Sequence, residues 1–374
     1  MNELIPSFDF NKIVVDTFTQ DPFGNFGRGW IMILGFLVAS ACGLVGNFLI
    51  LRRMALIGDA ISHSVLAGMA LVFVIFHTIG SVAMMLGALL AGLATIFIIE
   101  VIHKNSRVKQ DAAIGIAFTS LFAFGVILVH RYMEKTHFDV DCVLYGDMIG
   151  GVGFVKVTAL YSGFADCLGA LPLLTFADNL NGTAIYAPPA AIVQMVFIFG
   201  VVVIGILVFY KELLVCSFDP GLAVSLGINA TAIHIGLMSV LSITVVGAFG
   251  SVGAILVIAM LILPGATAQF LSQRLPIILA LTIIHALFCA IGGMLLARWF
   301  SVSHAGAMVV AGTFLFILAW ICSPIDGPIA KYRRRKTPPA IASILACCAA
   351  AACSPYAATS CCDIPSKVAC LSFS

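Results

Sequence analysis

The chain has 374 residues, of which 61% are hydrophobic and only 10% charged. Soluble domains carry about a quarter charged residues, so this chain lacks the side chains to cover a water-facing surface. Its 19 Lys and Arg nearly balance 17 Asp and Glu, and no basic patch stands beside aromatic residues in a polar segment, so nothing points to nucleic acid.

Apolar runs of about 20 residues recur, the length a helix needs to cross hydrocarbon. Barrel strands would be shorter and would alternate in polarity, which these runs do not. The expected fold is all-α, a polytopic membrane bundle of about nine helices, about eight to ten at the limits.

In chain order, residues 1–28 lack the basic start, apolar core and small-residue cleavage site of a signal peptide. Asp9, Asp16 and Asp21 against Lys12 and Arg28 suggest a polar or interfacial arm on the outer side. Spans are expected at 29–51, 54–76, 79–102, 112–130, 190–210, 230–249, 252–270, 276–297 and 304–322. Residues 152–174 are apolar enough for another span or a re-entrant segment. Arg52 and Arg53, Lys104 to Lys109, Lys211, Arg274, and Arg333 to Lys336 all fall on one side of these spans. The positive-inside rule makes that side cytoplasmic, with the N-terminus outside and the C-terminus inside. Arg131, Lys135, Lys156 and Arg298 run against the trend.

The stretch RRMALIGDAISHSVL, Arg52 to Leu66, carries the most chemistry. Asp59 and His63 are four apart and share one helix face. With a helix start near Met54, they lie about 8 and 14 Å along its axis, the second near the midplane. Ionisable residues at that depth cost several kcal/mol unless they face a partner or water, and so are functional candidates. A carboxylate with an imidazole can ligate Mn, Fe or Zn. On the residues alone, a mutual hydrogen bond or a proton relay remains open.

Further along, Asp219 suits a helix N-cap, Pro220 the first helical position and Gly227 the stop. The short helix between them would present Leu222, Ala223 and Leu226 on one side; by itself this reads as a capped linker helix. Gly247, Gly250 and Gly253 mark a tight bend between spans six and seven. Pro264 and Gly265, late in span seven, are candidates for a pathway bend, since broken helix is tolerated only where the freed backbone is buried or lines a cavity. Residues 326–374 form a basic and then Cys-rich tail, with Cys347, Cys348, Cys353, Cys361, Cys362 and Cys370 but no C-x-x-C pair. A cytoplasmic tail argues against structural disulfides, and it is read as disordered and without a role.

The Arg52–Leu66 stretch resembles the signature of the ABC-3 family of zinc, manganese and iron permeases. Four more segments match in order: DAAIGIAFTSLFAFGVIL from Asp111, DVDCVLYGD from Asp139, FYKELLVCSFDPGLAVSLGI from Phe209 and GSVGAILVIAMLILPGATA from Gly250. The segment from Tyr145 to Leu214, with its long polar insertion, resembles the treponemal and chlamydial-type subgroup. The resemblance implies a type II-like ABC importer permease in a bacterial inner membrane, passing Mn, Zn or Fe inward by alternating access. It implies a cytosolic ATPase, an extracytoplasmic metal-binding protein and a second permease, either a copy or a relative, and no permanent cofactor. It places Asp59 and His63 on the metal pathway, adds His234 as a third ligand, and makes Asp219, Pro220, Gly221, Leu222, Ala223 and Gly227 the ATPase-coupling segment. His234 on its own reads as a buried histidine bonded to a neighbour, and His285 and His304 as histidines satisfied by packing.

No G-x-x-x-x-G-K-[ST] occurs, so ATP hydrolysis belongs to another chain, and this one is a transport subunit rather than an enzyme. A permease for a chelated ligand, such as a siderophore or cobalamin, is the alternative; it would need a wide vestibule without ionic ligands, which Asp59 and His63 oppose. An intramembrane metalloenzyme would need a motif such as H-E-x-x-H, which is absent.

Overall fold

A computed structural model of the chain describes residues 28–76, 81–133, 190–323 and 327–328. Among these residues the regular structure is helical throughout. The helices are α1 (Arg28–Leu51), α2 (Ile57–Phe76), α3 (Ser81–Asn105), α4 (Gln110–Leu128), α5 (Ala190–Val208), α6 (Tyr210–Phe218), α7 (Pro220–Ser225), α8 (Ala230–Leu271), α9 (Leu275–Phe300) and α10 (His304–Cys322). α4 runs on through a wider π turn at Val129–Met133. Nine stretches among the described residues are long and apolar enough to cross a membrane, α8 supplying two of them. The polar arm, the segment DVDCVLYGD, the apolar run 152–174 and nearly all of the Cys-rich tail lie outside the described residues.

The chain divides into two compact units, residues 1–317 and residues 318–374. In the first, α1 is the central helix: 83% of its apolar window is buried, against 22% for the outlying α4. Leu34, Val38, Cys42, Phe48 and Leu49 of α1 pack with Met195, Met238, Leu241, Leu256, Met260 and Leu261 in one continuous core. Without a hydrophobic drive between lipid-solvated helices, such contacts depend on close fit, and small residues supply it. At Gly46 a Cβ would collide with the Leu261 carbonyl, so α1 and α8 approach backbone to backbone. The second unit contributes the end of α10, with Ser323, Gly327 and Pro328, to the described residues.

The bend expected between spans six and seven falls at Gly253, whose φ of 77° and ψ of 166° interrupt α8. That conformation is essentially confined to glycine. The Pro264–Gly265 pair has no such break; the backbone there stays helical. Both residues pack on α1: a Cβ on Gly43 would lie 3.0 Å from the Pro264 Cβ, and one on Gly265 2.9 Å from Asn47 Oδ1. Asn47, fully buried, donates from Nδ2 to Gly43 O at 3.0 Å and to Thr282 Oγ1 of α9 at 2.8 Å. The proline therefore stands where α1, α8 and α9 converge.

Candidate functional site

The turn between α1 and α2 sets the register of the candidate ligands. Arg53 N–H donates to Ile50 O at 3.0 Å and Met54 N–H to Leu49 O at 2.9 Å. This is the Schellman pattern of helix ends, with Arg53 at φ 58° in the left-handed position that glycine usually fills. The chain then needs Met54 to Leu56 to turn, and α2 starts at Ile57 rather than near Met54. Asp59 accordingly lies in the first turn, about 3 Å along the axis, and His63 about 9 Å along it. Both residues thus lie nearer the start of the helix than expected, because the turn consumes three residues that pattern alone assigns to the helix.

His63 Nε2 lies 3.3 Å from Asp59 Oδ1. Two rings of α4 hold the imidazole: Phe118 tilted against it at 4.9 Å and Phe122 edge-on at 5.3 Å between centroids. Side-chain exposures of 40% for Asp59 and 27% for His63 leave the pair open on one side. The carboxylate in the first turn also complements the positive end of the helix dipole. α2 itself is wedged closely: a Cβ on Gly58 would overlap the Leu261 side chain, and one on Gly68 the Gly87 carbonyl of α3. Among the described residues no three His, Cys, Asp or Glu side chains converge as a metal-binding group, so His234 does not complete a triad with Asp59 and His63.

His234 belongs to a different cluster. Arg52 Nη1 lies 3.1 Å from His234 Nδ1, and Glu100 Oε2 lies 3.6 Å from its Nε2. A guanidinium only donates, so Nδ1 accepts and the ring proton sits on Nε2, facing Glu100. Glu100 also pairs with Lys104 at 2.8 Å, one turn on. Arg52 Nε donates to Ser217 Oγ at 3.3 Å, and Ser217 Oγ donates to Leu213 O at 2.6 Å. Burial draws the Arg52 pKa below the ordinary guanidinium value, though such a group stays charged. These side chains line a cleft of about 390 Å³ beside the α1–α2 turn.

The segment 217–228 folds as its caps dictate. Asp219 Oδ1 accepts from the Gly221 and Leu222 amides at 2.9 and 3.0 Å. At the other end Gly227, φ 80°, closes a second Schellman turn, with its amide on Val224 O and that of Ile228 on Ala223 O, both at 3.0 Å. Asn229 then caps α8 by accepting from Ala232 N at 3.1 Å. The expected three-residue face is not what forms. Ala223 is fully buried, whereas Leu222 and Leu226 stay 50% and 61% exposed beside exposed Phe218 and Val224. Over six residues Ala223 turns inward and the larger apolar side chains turn out.

A model of the ABC 3 transport family matches residues 29–156 and 175–323. The chain belongs to this family. It is 38% identical to the manganese transport system membrane protein MntD of Bacillus subtilis over 82% of this chain and 96% of that protein. It is also 38% identical to the zinc transport system membrane protein TroD of Treponema pallidum, over 80% of this chain and 75% of that one. Among solved structures, PsaBC from Streptococcus pneumoniae in complex with Fab superposes with a TM-score of 0.64 at 27% identity, covering 88% of this chain and 100% of that one. As an ABC 3 family member, the chain is a membrane transport component, not an enzyme.

Three residues that line the cleft, Arg52, Glu100 and Ser217, are not among the site residues expected from the sequence. Glu100 carries a readable signal, an acidic residue inside an apolar span with Lys104 four positions on. Arg52 reads only as an orientation marker, and Ser217 as part of a linker. His285, by contrast, is buried against Cys289 Sγ on its own helix at 3.4 Å, and Cys42 and Cys289 are fully buried in the core.

Proposed function

We propose that this chain is the permease of an ATP-driven importer for a divalent transition metal, with Asp59 and His63 as ligands on the metal's path. The observation that carries this reading is the open carboxylate–imidazole pair, 3.3 Å apart in the first turns of α2. An anionic oxygen and an imidazole nitrogen suit manganese or zinc. Two protein donors hold an ion less tightly than a closed cage, which suits a site that must release its cargo. Relatives named for manganese and zinc support those two ions ahead of iron.

A cytosolic ATPase supplies the energy and docks at α7, where exposed Leu222 and, one turn on at the C-cap, Leu226 offer an apolar ridge for a groove. An extracytoplasmic binding protein delivers the metal, and a second permease completes the pathway. The α1–α2 turn, α6 and α7 face the cytoplasm, where Arg52, Arg53, Lys104, Lys211 and Arg274 cluster; the N-terminus lies outside, the C-terminus inside, and the membrane is the bacterial inner one.

The test is accumulation of manganese, zinc and iron, by elemental mass spectrometry, in cells expressing the chain with its ATPase and binding protein. ATP-dependent accumulation of one free ion supports the reading. Uptake confined to a metal–siderophore chelate would favour the chelated-ligand alternative, and no uptake would refute both.

A further inference from the structure

Arg52 touches both flanks of α7. Ser217, which takes its Nε–H at 3.3 Å, lies two residues before the Asp219 cap. His234, which takes Nη1–H at 3.1 Å, lies five residues after the Asn229 cap of α8. One planar guanidinium thus bridges the strand of chain entering α7 and the one leaving it. Between those two points the backbone has little slack. Asp219, Gly227 and Asn229 cap three successive helix ends, so α7 and the start of α8 form a stiff elbow.

The other end of Arg52 is equally constrained. It is the residue before Arg53, whose left-handed φ of 58° closes α1. Non-glycine residues adopt that conformation only against a steric penalty, so the surrounding contacts must enforce it. Six residues beyond Arg53 is Asp59. Glu100 of α3, facing His234 at 3.6 Å, ties a fourth segment to the same point. Alternative roles fit less well. A metal site here is opposed by the engagement of both His234 nitrogens and by the guanidinium beside them. A simple charge anchor at the membrane surface would leave Arg52 exposed, yet its Nη2 is buried.

We infer that Arg52 is a positioning residue that links movement of α7 to the α1–α2 turn, which leads directly into the first turns of α2 with Asp59 and His63. This rests on the permease reading of the chain. A displaced α7 carries Ser217 and His234 with it, and the guanidinium passes that displacement to the turn. The role requires two donors on one rigid plane, which arginine provides and lysine does not.

The experiment uses the full complex of permease, partner permease, ATPase and binding protein in proteoliposomes, and measures manganese moved per ATP hydrolysed. The variants are Arg52→Lys, Arg52→Gln, His234→Leu and His234→Asn at matched membrane abundance. The expected result is a fall in metal moved per ATP of about tenfold in both Arg52 variants and in His234→Leu, while His234→Asn, whose Oδ1 stands where Nδ1 accepts from Arg52, stays within about twofold of the unmodified complex. A ratio unchanged in Arg52→Lys, or unchanged in His234→Leu, would overturn the inference. So would parallel loss of ATP hydrolysis and transport with the ratio intact. If Arg52 variants fail to assemble, the two His234 variants decide. An unmodified complex that moves no metal would instead sink the permease reading itself.

Discussion

Arg52 donates through Nη1 to Nδ1 of His234 at 3.1 Å, and this fixes the imidazole as an acceptor toward α1 and a donor toward Glu100. A histidine so occupied has no lone pair left for a metal ion.

His234→Gln should therefore leave the metal dependence of uptake unchanged, with an apparent KM within about twofold of the unmodified chain. His234→Ala should lower thermal stability by about 1–3 kcal/mol, since it strands the half-buried Arg52 without that acceptor. A His234→Gln variant with metal KM raised tenfold and normal stability would make His234 a ligand after all.

Asp219 is the N-cap of α7 through Oδ1 alone. Replacing a capping Asp by Ala costs about 0.5–2 kcal/mol of helix stability, and Asn caps as well as Asp. Hydrogen exchange at the Gly221 and Leu222 amides should quicken in Asp219→Ala and hold in Asp219→Asn, with ATPase co-purification weakened only in the former. Equal protection in all three chains would rule out the cap as the element that shapes this helix.

Gly253 and Gly205 should respond oppositely to alanine. Gly253 sits at φ 77°, ψ 166°, so Gly253→Ala should cost about 1–3 kcal/mol. Gly205 lies within α5 with no atom within 4 Å of a Cβ, so Gly205→Ala should be neutral or stabilising by up to about 1 kcal/mol. Thermal midpoints of the purified chain in detergent measure both.

Arg53 is exposed and left-handed. Arg53→Gly should raise stability by about 1 kcal/mol by removing that strain, read as a higher thermal midpoint. A lower midpoint would mean that the Arg53 side chain contributes more than its backbone costs.

Much of this arrangement is legible in the residues. Apolar runs locate nine spans among the described residues, because membrane helices must satisfy their own backbone and so announce themselves by length. The caps at Asp219 and Gly227 are local chemistry and are equally readable. Less local features are not. The start of α2 depends on a left-handed arginine, which no pattern foretells, so Asp59 and His63 lie nearer the start of their helix than expected. The inward turn of Ala223 depends on what packs beneath α7. The link from Arg52 to Ser217 and His234 joins residues more than 160 positions apart, and periodicity within a helix carries no trace of it.

The most direct measurement is manganese and zinc uptake by the complete transporter carrying Asp59→Asn or His63→Gln, each at matched membrane abundance and with ATP hydrolysis recorded. Loss of even an outer-shell partner of a metal ligand typically lowers affinity or activity by about 10–100-fold, and both variants, which remove a ligand itself, should lose uptake on at least that scale while ATPase assembly persists. Uptake at the unmodified rate in both would take Asp59 and His63 off the metal's path and contradict the account.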